Sequence, residues 1–277
     1  MKSRIAAGSA AGALLIAAVA VPMSASASTT DAQLSVVHGV PGVTVDVWVN
    51  GALTLDDFTP GTVAGPLALP AGTYSVAITG SDAASATEGV VIGPADLPLA
   101  AGGNYTAVAH LTEAGEPTAS LFTNDISATA AGEGRLTVRH TAAAPAVDVL
   151  AGGSAVVSGL TNPNEQILNL APATVSASVV AAGTTEPALI GPADVPVTEG
   201  SNTIVYAYGS LADDTLAVAV QTIDGLHTPP AGIPAGQTGE AALAGSSENL
   251  WTGLGVFGLL LAAAGALIAT RKYSAQR

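Results

Sequence analysis

The sequence predicts an all-β protein: two tandem antiparallel β-sandwich domains of Ig-like or Greek-key type, followed by one C-terminal transmembrane helix. Three observations carry this. Apolar residues alternate with period two in short blocks separated by Pro/Gly turns, as strands packed on one face require. The alternating block at 34–51 recurs without gaps at 136–153. An uncharged apolar run stands at each end of the chain, 5–21 flanked by Lys2 and Arg4 and 250–270 followed by Arg271 and Lys272.

At the N-terminus, Lys2 and Arg4 precede an uncharged run from Ile5 to Val21, closed by Pro22 and an A-x-A site at Ala25 and Ala27. This order of n-region, h-region and small-residue site predicts a signal peptide over 1–27. Gly8, Ser9 and Gly12 leave the run weakly apolar, which argues against a retained anchor.

The first domain is predicted over 28–130 and the second over 131–225. LSVVHGVPGVTVDVWVNG (34–51) and LTVRHTAAAPAVDVLAGG (136–153) share 7 of 18 residues, among them His38/His140 and Asp46/Asp148. Ile92–Pro98 recurs as Ile190–Pro196, and the offset shrinks from 102 to 98, so the second copy is four residues shorter in between. Two copies point to tandem domains, since a solenoid needs three or more short units. Val43, Val45, Val47 and Val49 share one face of a strand, with Thr44, Asp46 and Trp48 on the polar one, and Asn50-Gly51 marks a hairpin turn. Further strands are expected at 73–79, 104–111 and 118–123, then at 174–180, 202–208 and 215–222.

From 226 to 249 the alternation gives way to Pro, Gly, Ala and Ser, predicting a stalk that stands the domains off a bilayer. Leu250 to Thr270 is uncharged over 21 residues, about 31 Å as a helix, enough to span the hydrocarbon core. Arg271, Lys272 and Arg277 follow it, so 271–277 is expected in the cytoplasm and the rest outside. Gly258, Ala262 and Ala266 form a small-residue stripe compatible with weak helix-mediated self-association.

Between the two ends stand 21 acidic residues and only Arg135 and Arg139, a net charge of −19. That excludes a nucleic-acid footprint and makes cations the natural counter-partners, although carboxylates also serve simply as solubilising surface. Cysteine is absent, so each domain must be stable through an ordinary core, and thiol chemistry is ruled out.

Candidate chemistry is sparse. The His38/Asp46 and His140/Asp148 pairs, each eight residues apart, are expected to meet across a strand-turn-strand as hydrogen-bonded structural pairs. Their rival role is half of an acid/base or metal site, but no nucleophile setting such as G-x-S-x-G accompanies them. No cofactor is expected. The doublets Asp56-Asp57 and Asp213-Asp214 fall in predicted turns where calcium is conceivable, yet neither lies in a D-x-[DN]-x-[DN] run. Trp48 is either a platform for a sugar ring or filler beneath a loop or between the domains. His110 and His227 have no partner in the sequence, and the Ile-Gly-Pro-Ala-Asp copies read as a bulged turn.

The V-x-H and V-D-V segments with their Gly-ended hairpin, together with LPAGTYSVAI (69–78) and AAGGNYTAVAH (100–110), resemble the bacterial domain-of-unknown-function 4397 family. The likeness is good over 33–125 and weaker over 134–224, where Leu150-Ala151-Gly152 and Ala171-Pro172-Ala173 depart from it. It implies an exported surface protein with a sandwich-like β fold and no known activity. Gln237-Thr238-Gly239-Glu240, ahead of the apolar run, resembles part of the sorting signal of Gram-positive wall proteins, although Ala235-Gly236 replaces its Leu-Pro. The resulting expectation is a membrane-anchored bacterial surface protein acting as a non-enzymatic structural, adhesion or interaction module toward an unidentified wall or extracellular ligand. Two rivals stand beside it: a surface hydrolase or metal-dependent carbohydrate-active enzyme using a His/Asp pair, and a sortase-linked wall component.

Overall fold

The computed structural model describes residues 30–227. The predicted signal peptide, most of the stalk, the span 250–270, the tail and the Gln237–Glu240 motif lie outside the described residues. Sixteen strands and no helix occur among them, so no described helix is long and apolar enough to cross a membrane.

Each half contributes eight strands in two four-stranded sheets. In the first half these are β1 (Ala32–His38), β2 (Val45–Val49), β3 (Ala52–Phe58), β4 (Val63–Leu69), β5 (Gly72–Gly80), β6 (Val90–Leu99), β7 (Asn104–Leu111) and β8 (Pro117–Thr123). In the second they are β9 (Gly134–Ala143), β10 (Val147–Ala151), β11 (Ser154–Leu160), β12 (Glu165–Leu170), β13 (Ala173–Ala181), β14 (Ala188–Val197), β15 (Asn202–Ser210) and β16 (Ala217–Ile223). The sheets run β3-β2-β5-β6 and β4-β1-β7-β8, then β12-β9-β15-β16 and β11-β10-β13-β14.

Pairing is not antiparallel throughout. β1 lies parallel to β7 and β9 parallel to β15, because the strand that opens each half is inserted between β4 and β7, or between β12 and β15. The Asn50-Gly51 turn forms as expected, with φ of 51° and 79°. Ile92-Gly93-Pro94 and Ile190-Gly191-Pro192 do not make a turn. They lie inside β6 and β14, at bulges where the register slips against β5 and β13. Gly93 has φ +92°, and a Cβ there would stand 2.6 Å from the Val76 carbonyl oxygen. Gly191 repeats this against Ala177, so the recurring glycine answers a backbone contact.

The four residues missing from the second copy can be located. β5 and β6 are joined by nine residues, 81–89, whereas six, 182–187, join β13 and β14. β4 has seven residues and a register slip opposite Leu34/Val36, whereas β12 has six and pairs with β9 in continuous register.

Alternation explains the stacking of the sheets. Leu34, Val36, Val45, Val47, Phe58, Ile78, Leu97 and Ala107 fill the space between the two sheets of the first half. Leu136, Val138, Val147, Val149, Leu160, Val195 and Val197 do so in the second. Residues of opposite parity on the inner sheets meet across the halves: Val37, Val108 and Phe122 pack on Ile204, Tyr206 and Ala219. All ten residues of β9 are therefore buried, one face in its own core and the other against the first half. The two sandwiches are thus not beads on a linker. Residues 30–227 form one body of four stacked sheets. Leu226 and His227, placed at the head of the stalk by composition, belong to this body, with Leu226 N–H bonded to Gly200 O and its carbonyl accepting from Thr129 N–H.

Candidate functional site

The repeated His/Asp positions do not pair with each other. His38 Nε2 donates to the Val43 carbonyl at 2.8 Å, and Nδ1 accepts from Val40 N–H at 3.4 Å. His140 does the same with Pro145 O at 3.0 Å and Ala142 N–H at 3.4 Å. A carbonyl only accepts, so both rings are the neutral Nε2–H tautomer. Each pins the loop joining the opening strand to the next sheet. Burial holds both imidazoles below their ordinary pKa, only partly offset by the carbonyl bonds.

Asp46 and Asp148 act on a different strand. On β3, Asp56 and Asp57 together oppose Asp46, leaving the Asp57 N–H outside the ladder, and Asp46 Oδ1 accepts it at 3.0 Å. On β11 the Gly159 N–H meets Asp148 Oδ1 at 2.7 Å, and Oδ2 takes the Gly183 N–H at 2.8 Å. The spacing of eight recurs because one strand-loop-strand needs two anchors: a histidine for the loop and an aspartate for the bulge beyond it. Cross-strand pairing fails because histidine and aspartate lie in different sheets of the sandwich.

Asp56-Asp57 therefore sits in a strand bulge rather than a turn, whereas Asp213-Asp214 does occupy the turn between β15 and β16. One carboxylate oxygen each from Asp46, Asp56 and Asp57 lie within 4.8 Å of one another. Partial desolvation, then the charges of Asp46, Asp57 and Asp82, push the Asp56 carboxyl above its usual range. Three monodentate carboxylates supply about half of the 6–8 oxygens calcium takes.

Trp48 lies on the outward face of its sheet, yet is only 8 % exposed. Its indole N–H donates to Thr79 Oγ1 at 3.0 Å, and it borders a cavity of about 300 Å³ roofed by the 81–89 loop. It lies beneath a loop and borders this cavity, and is not an open platform on the outer surface. His110, with no evident partner in the sequence, is fully buried, with Nδ1 donating to Leu111 O at 2.9 Å and Nε2 at 2.9 Å from Ser120 Oγ.

The most extensive polar constellation is the seam between the halves, and it engages the only two basic residues of the described region. Arg139, 1 % exposed, bonds Glu165 Oε2 at 2.7 Å and Tyr206 OH at 2.8 Å, with its guanidinium 4.3 Å above the Phe122 ring. Tyr206 OH donates to Gln221 Oε1 at 2.6 Å, Thr106 Oγ1 reaches the same oxygen at 3.1 Å, and Gln221 Nε2 donates to Ser35 Oγ. Burial pushes the Tyr206 phenol up, against the opposing pull of Arg139. Arg135 clasps the segment joining the halves through Asp125 Oδ1 at 3.2 Å and the carbonyls of Asp125 and Ser127. Burial would raise the Asp125 carboxyl, but bonds from Ser127 and the Arg135 charge bring it below its usual range. Asn162 Nδ2 bridges Leu111 O of one half and Ala142 O of the other. Sequence reading missed this network. Its visible trace was two arginines four apart in an otherwise Lys/Arg-free region, on the face of a strand opposite Leu136 and Val138.

A family model, domain of unknown function (DUF4397), matches residues 32–150. Over these residues the chain is similar to the DUF4397 family. The match takes in all of the first half and runs on through β9 and into β10, the strands that carry His140 and Asp148. No curated protein matches the chain.

Proposed function

We propose that this chain, similar to the DUF4397 family over residues 32–150, is an exported bacterial cell-surface protein, anchored through residues 250–270, whose outer part is a non-enzymatic structural, adhesion or interaction module. Each half is read here as an Ig-like sandwich and the C-terminal run as a single transmembrane helix with its basic tail inside. The observation that carries the proposal is the seam. A stalked pair of independent domains would need no buried Arg139–Tyr206–Gln221 network, whereas a stiff element holding a binding surface away from a membrane gains from one. The polar groups with hydrolytic potential support it too, since His38, His140 and Asp148 spend their bonds on backbone groups. The −19 charge points away from anionic polymers.

Protease treatment of intact cells is the test. Loss of 30–227 from the cell-bound protein, with a small C-terminal fragment retained, is the expected result, and full protection would overturn the surface reading. Intact mass separates the two tethers: a polypeptide ending at Thr238 with an added wall fragment would replace the retained helix by a sortase link. Turnover of glycans or peptides, lost in His38→Gln, would replace the module by the hydrolase.

A further inference from the structure

Two departures of the first half from the second meet at one place. Trp48 stands where the second copy has Leu150, and the loop above it is three residues longer than its counterpart. The strands bearing these differences are brought together by β2–β5–β6 pairing, and between them lies the cavity of about 300 Å³, lined by Trp48, Ser75, Ala77, Thr87, Val90 and Pro94. The loop supplies Thr87 and the neighbouring Ala86, so the extra length forms the far wall.

We propose that this cavity binds a single uncharged sugar ring. Its volume is at the lower limit for small-molecule sites, which suits one ring rather than an oligosaccharide. The indole N–H is already satisfied by Thr79, leaving the ring carbons of Trp48 as an apolar wall for sugar C–H groups. Ala77, Val90 and Pro94 continue that wall, while Ser75 Oγ, without a protein partner among the described residues, and Thr87 Oγ1, shared with Ser85 at 3.2 Å, offer hydroxyls to the sugar's own. Charge selects the ligand further. Asp46, Asp56, Asp57 and Asp82 gather on the same outer face and repel one another at Asp56, and both described arginines are buried in the seam, so uronic acids and other anionic sugars are disfavoured. The choice of a sugar rests on the cell-surface reading above; the cavity itself does not.

The full chain in detergent, carrying Trp251→Phe, reports Trp48 emission alone. Titration with N-acetylglucosamine, glucose or galactose is expected to give a saturable emission change with at least one of them and none with glucuronate. Ala86→Phe fills the cavity from the loop side and should abolish the response at unchanged melting temperature. If Ala86→Phe does not fold, Thr87→Val, which keeps the shape and removes a hydroxyl, should weaken binding at least threefold. No saturable change with any of the three sugars, or an equal change in the filled or hydroxyl-deleted cavity, overturns the proposal. Protease shaving of cells is unaffected by this result, so failure of the pocket and failure of the surface reading are separable.

Discussion

The two halves share a fold and differ in how their polar positions are used. At the seam, Val37 of the first half and Arg139 of the second hold the same place, 102 residues apart, yet one contributes only packing and the other a guanidinium bonded to Glu165 and Tyr206 and set over Phe122. At the bulge, Asp46 faces Asp56 and Asp57, where Asp148 faces Ser158 and Gly159. A duplicated sheet pair must bury one face of each inner sheet against its twin, and the two copies have diverged into complementary sides of that contact. Duplication preserved the backbone anchors; the seam and the outer bulge drifted apart.

The largest effect should come from giving the second half the first half's residue at the seam. Arg139→Val deprives Glu165 and Tyr206 of their shared partner and Phe122 of its cation in a buried site, and should cost about 3–5 kcal/mol, lowering Tm by roughly 10 °C. Arg139→Met, which keeps the stem packed, should lose less. Chemical denaturation of both variants measures this. A loss for Arg139→Val below about 1 kcal/mol, as for a surface pair, would mean the seam does not hold the halves together.

Next in size is the bulge anchor. Asp148 takes two backbone N–H groups, one of them from Gly183 across the sheet, so Asp148→Ala should cost about 2–4 kcal/mol. Asp46→Ala removes one such bond and also relieves repulsion from Asp56, so its loss should be clearly smaller. Equal losses in thermal melts would show that the aspartates around Asp46 do not oppose it.

Acid should act on the histidines common to the halves and on His110 of the first. Burial lowers all three folded-state pKa values below the unfolded one, so the unfolded chain binds protons first as pH falls. Their stabilisation is complete above about pH 7 and is lost as pH drops through 6.5 toward the folded values, with a ceiling of about 1.4 kcal/mol per pH unit for each ring. His110 is also disfavoured as a cation by His140, a coupling reaching from one half to the other. His110→Gln should flatten the decline of Tm between pH 7 and 5.5; an unchanged slope would remove His110 from the account. Asp125, held low, contributes only in the carboxylate range below this window.

Core filling separates the copies by a smaller margin. Val76 of the first core corresponds to Ala177 of the second, and the second core contains a cavity of about 100 Å³ beside Ala177, Val179 and Val195, against about 30 Å³ in the first. Val76→Ala should destabilise by about 1.5–2 kcal/mol, and Ala177→Val should stabilise by about 0.5–1 kcal/mol. A destabilising Ala177→Val would mean that the cavity lacks the shape for two more methyl groups.

How legible these features were follows from where their causes lie. Strands β2, β5, β7, β13 and β15 were legible because one face of each is a run of apolar residues at period two. β4, β6 and β14 were not, since Gly65-Pro66, Gly93-Pro94 and Gly191-Pro192 interrupt the pattern with residues that signal turns, and only the bulge opposite them makes those residues compatible with a strand. The stacking of the halves was hidden because seam residues such as Ser35, Thr106, Thr137 and Gln221 are polar and read as solvent-facing. Ser35, Thr106 and Thr137 are buried and Gln221 half-buried because the seam satisfies them, Thr137 through Asn202 and the other three with one another. The His/Asp positions were found by repetition, but repetition says that a residue is needed and not what it touches: histidine and aspartate serve neighbouring parts of the backbone.

The smallest expected effect tests the clearest difference between the outer faces. Asp56 is exposed, and its carboxyl is pushed up by slight desolvation and by the charges of Asp46, Asp57 and Asp82, so folding brings together charges that the unfolded chain keeps apart. Asp56→Asn keeps the shape and removes one charge, so it should raise Tm slightly at neutral pH. The rise should shrink with added salt, which screens the repulsion, and with acid, which protonates Asp56 in the parent. Ser158→Asp, the corresponding change in the second half, should have a weaker destabilising effect, because Asp148 there has both oxygens engaged by N–H groups and the positions matching Asp57 and Asp82 are Gly159 and Gly183. The same melts with millimolar calcium complete the comparison. A calcium-dependent rise in the parent that disappears in Asp56→Asn would turn the cluster from a site of like-charge strain into a cation site, and an unchanged Tm leaves the repulsion between neighbours as its whole account.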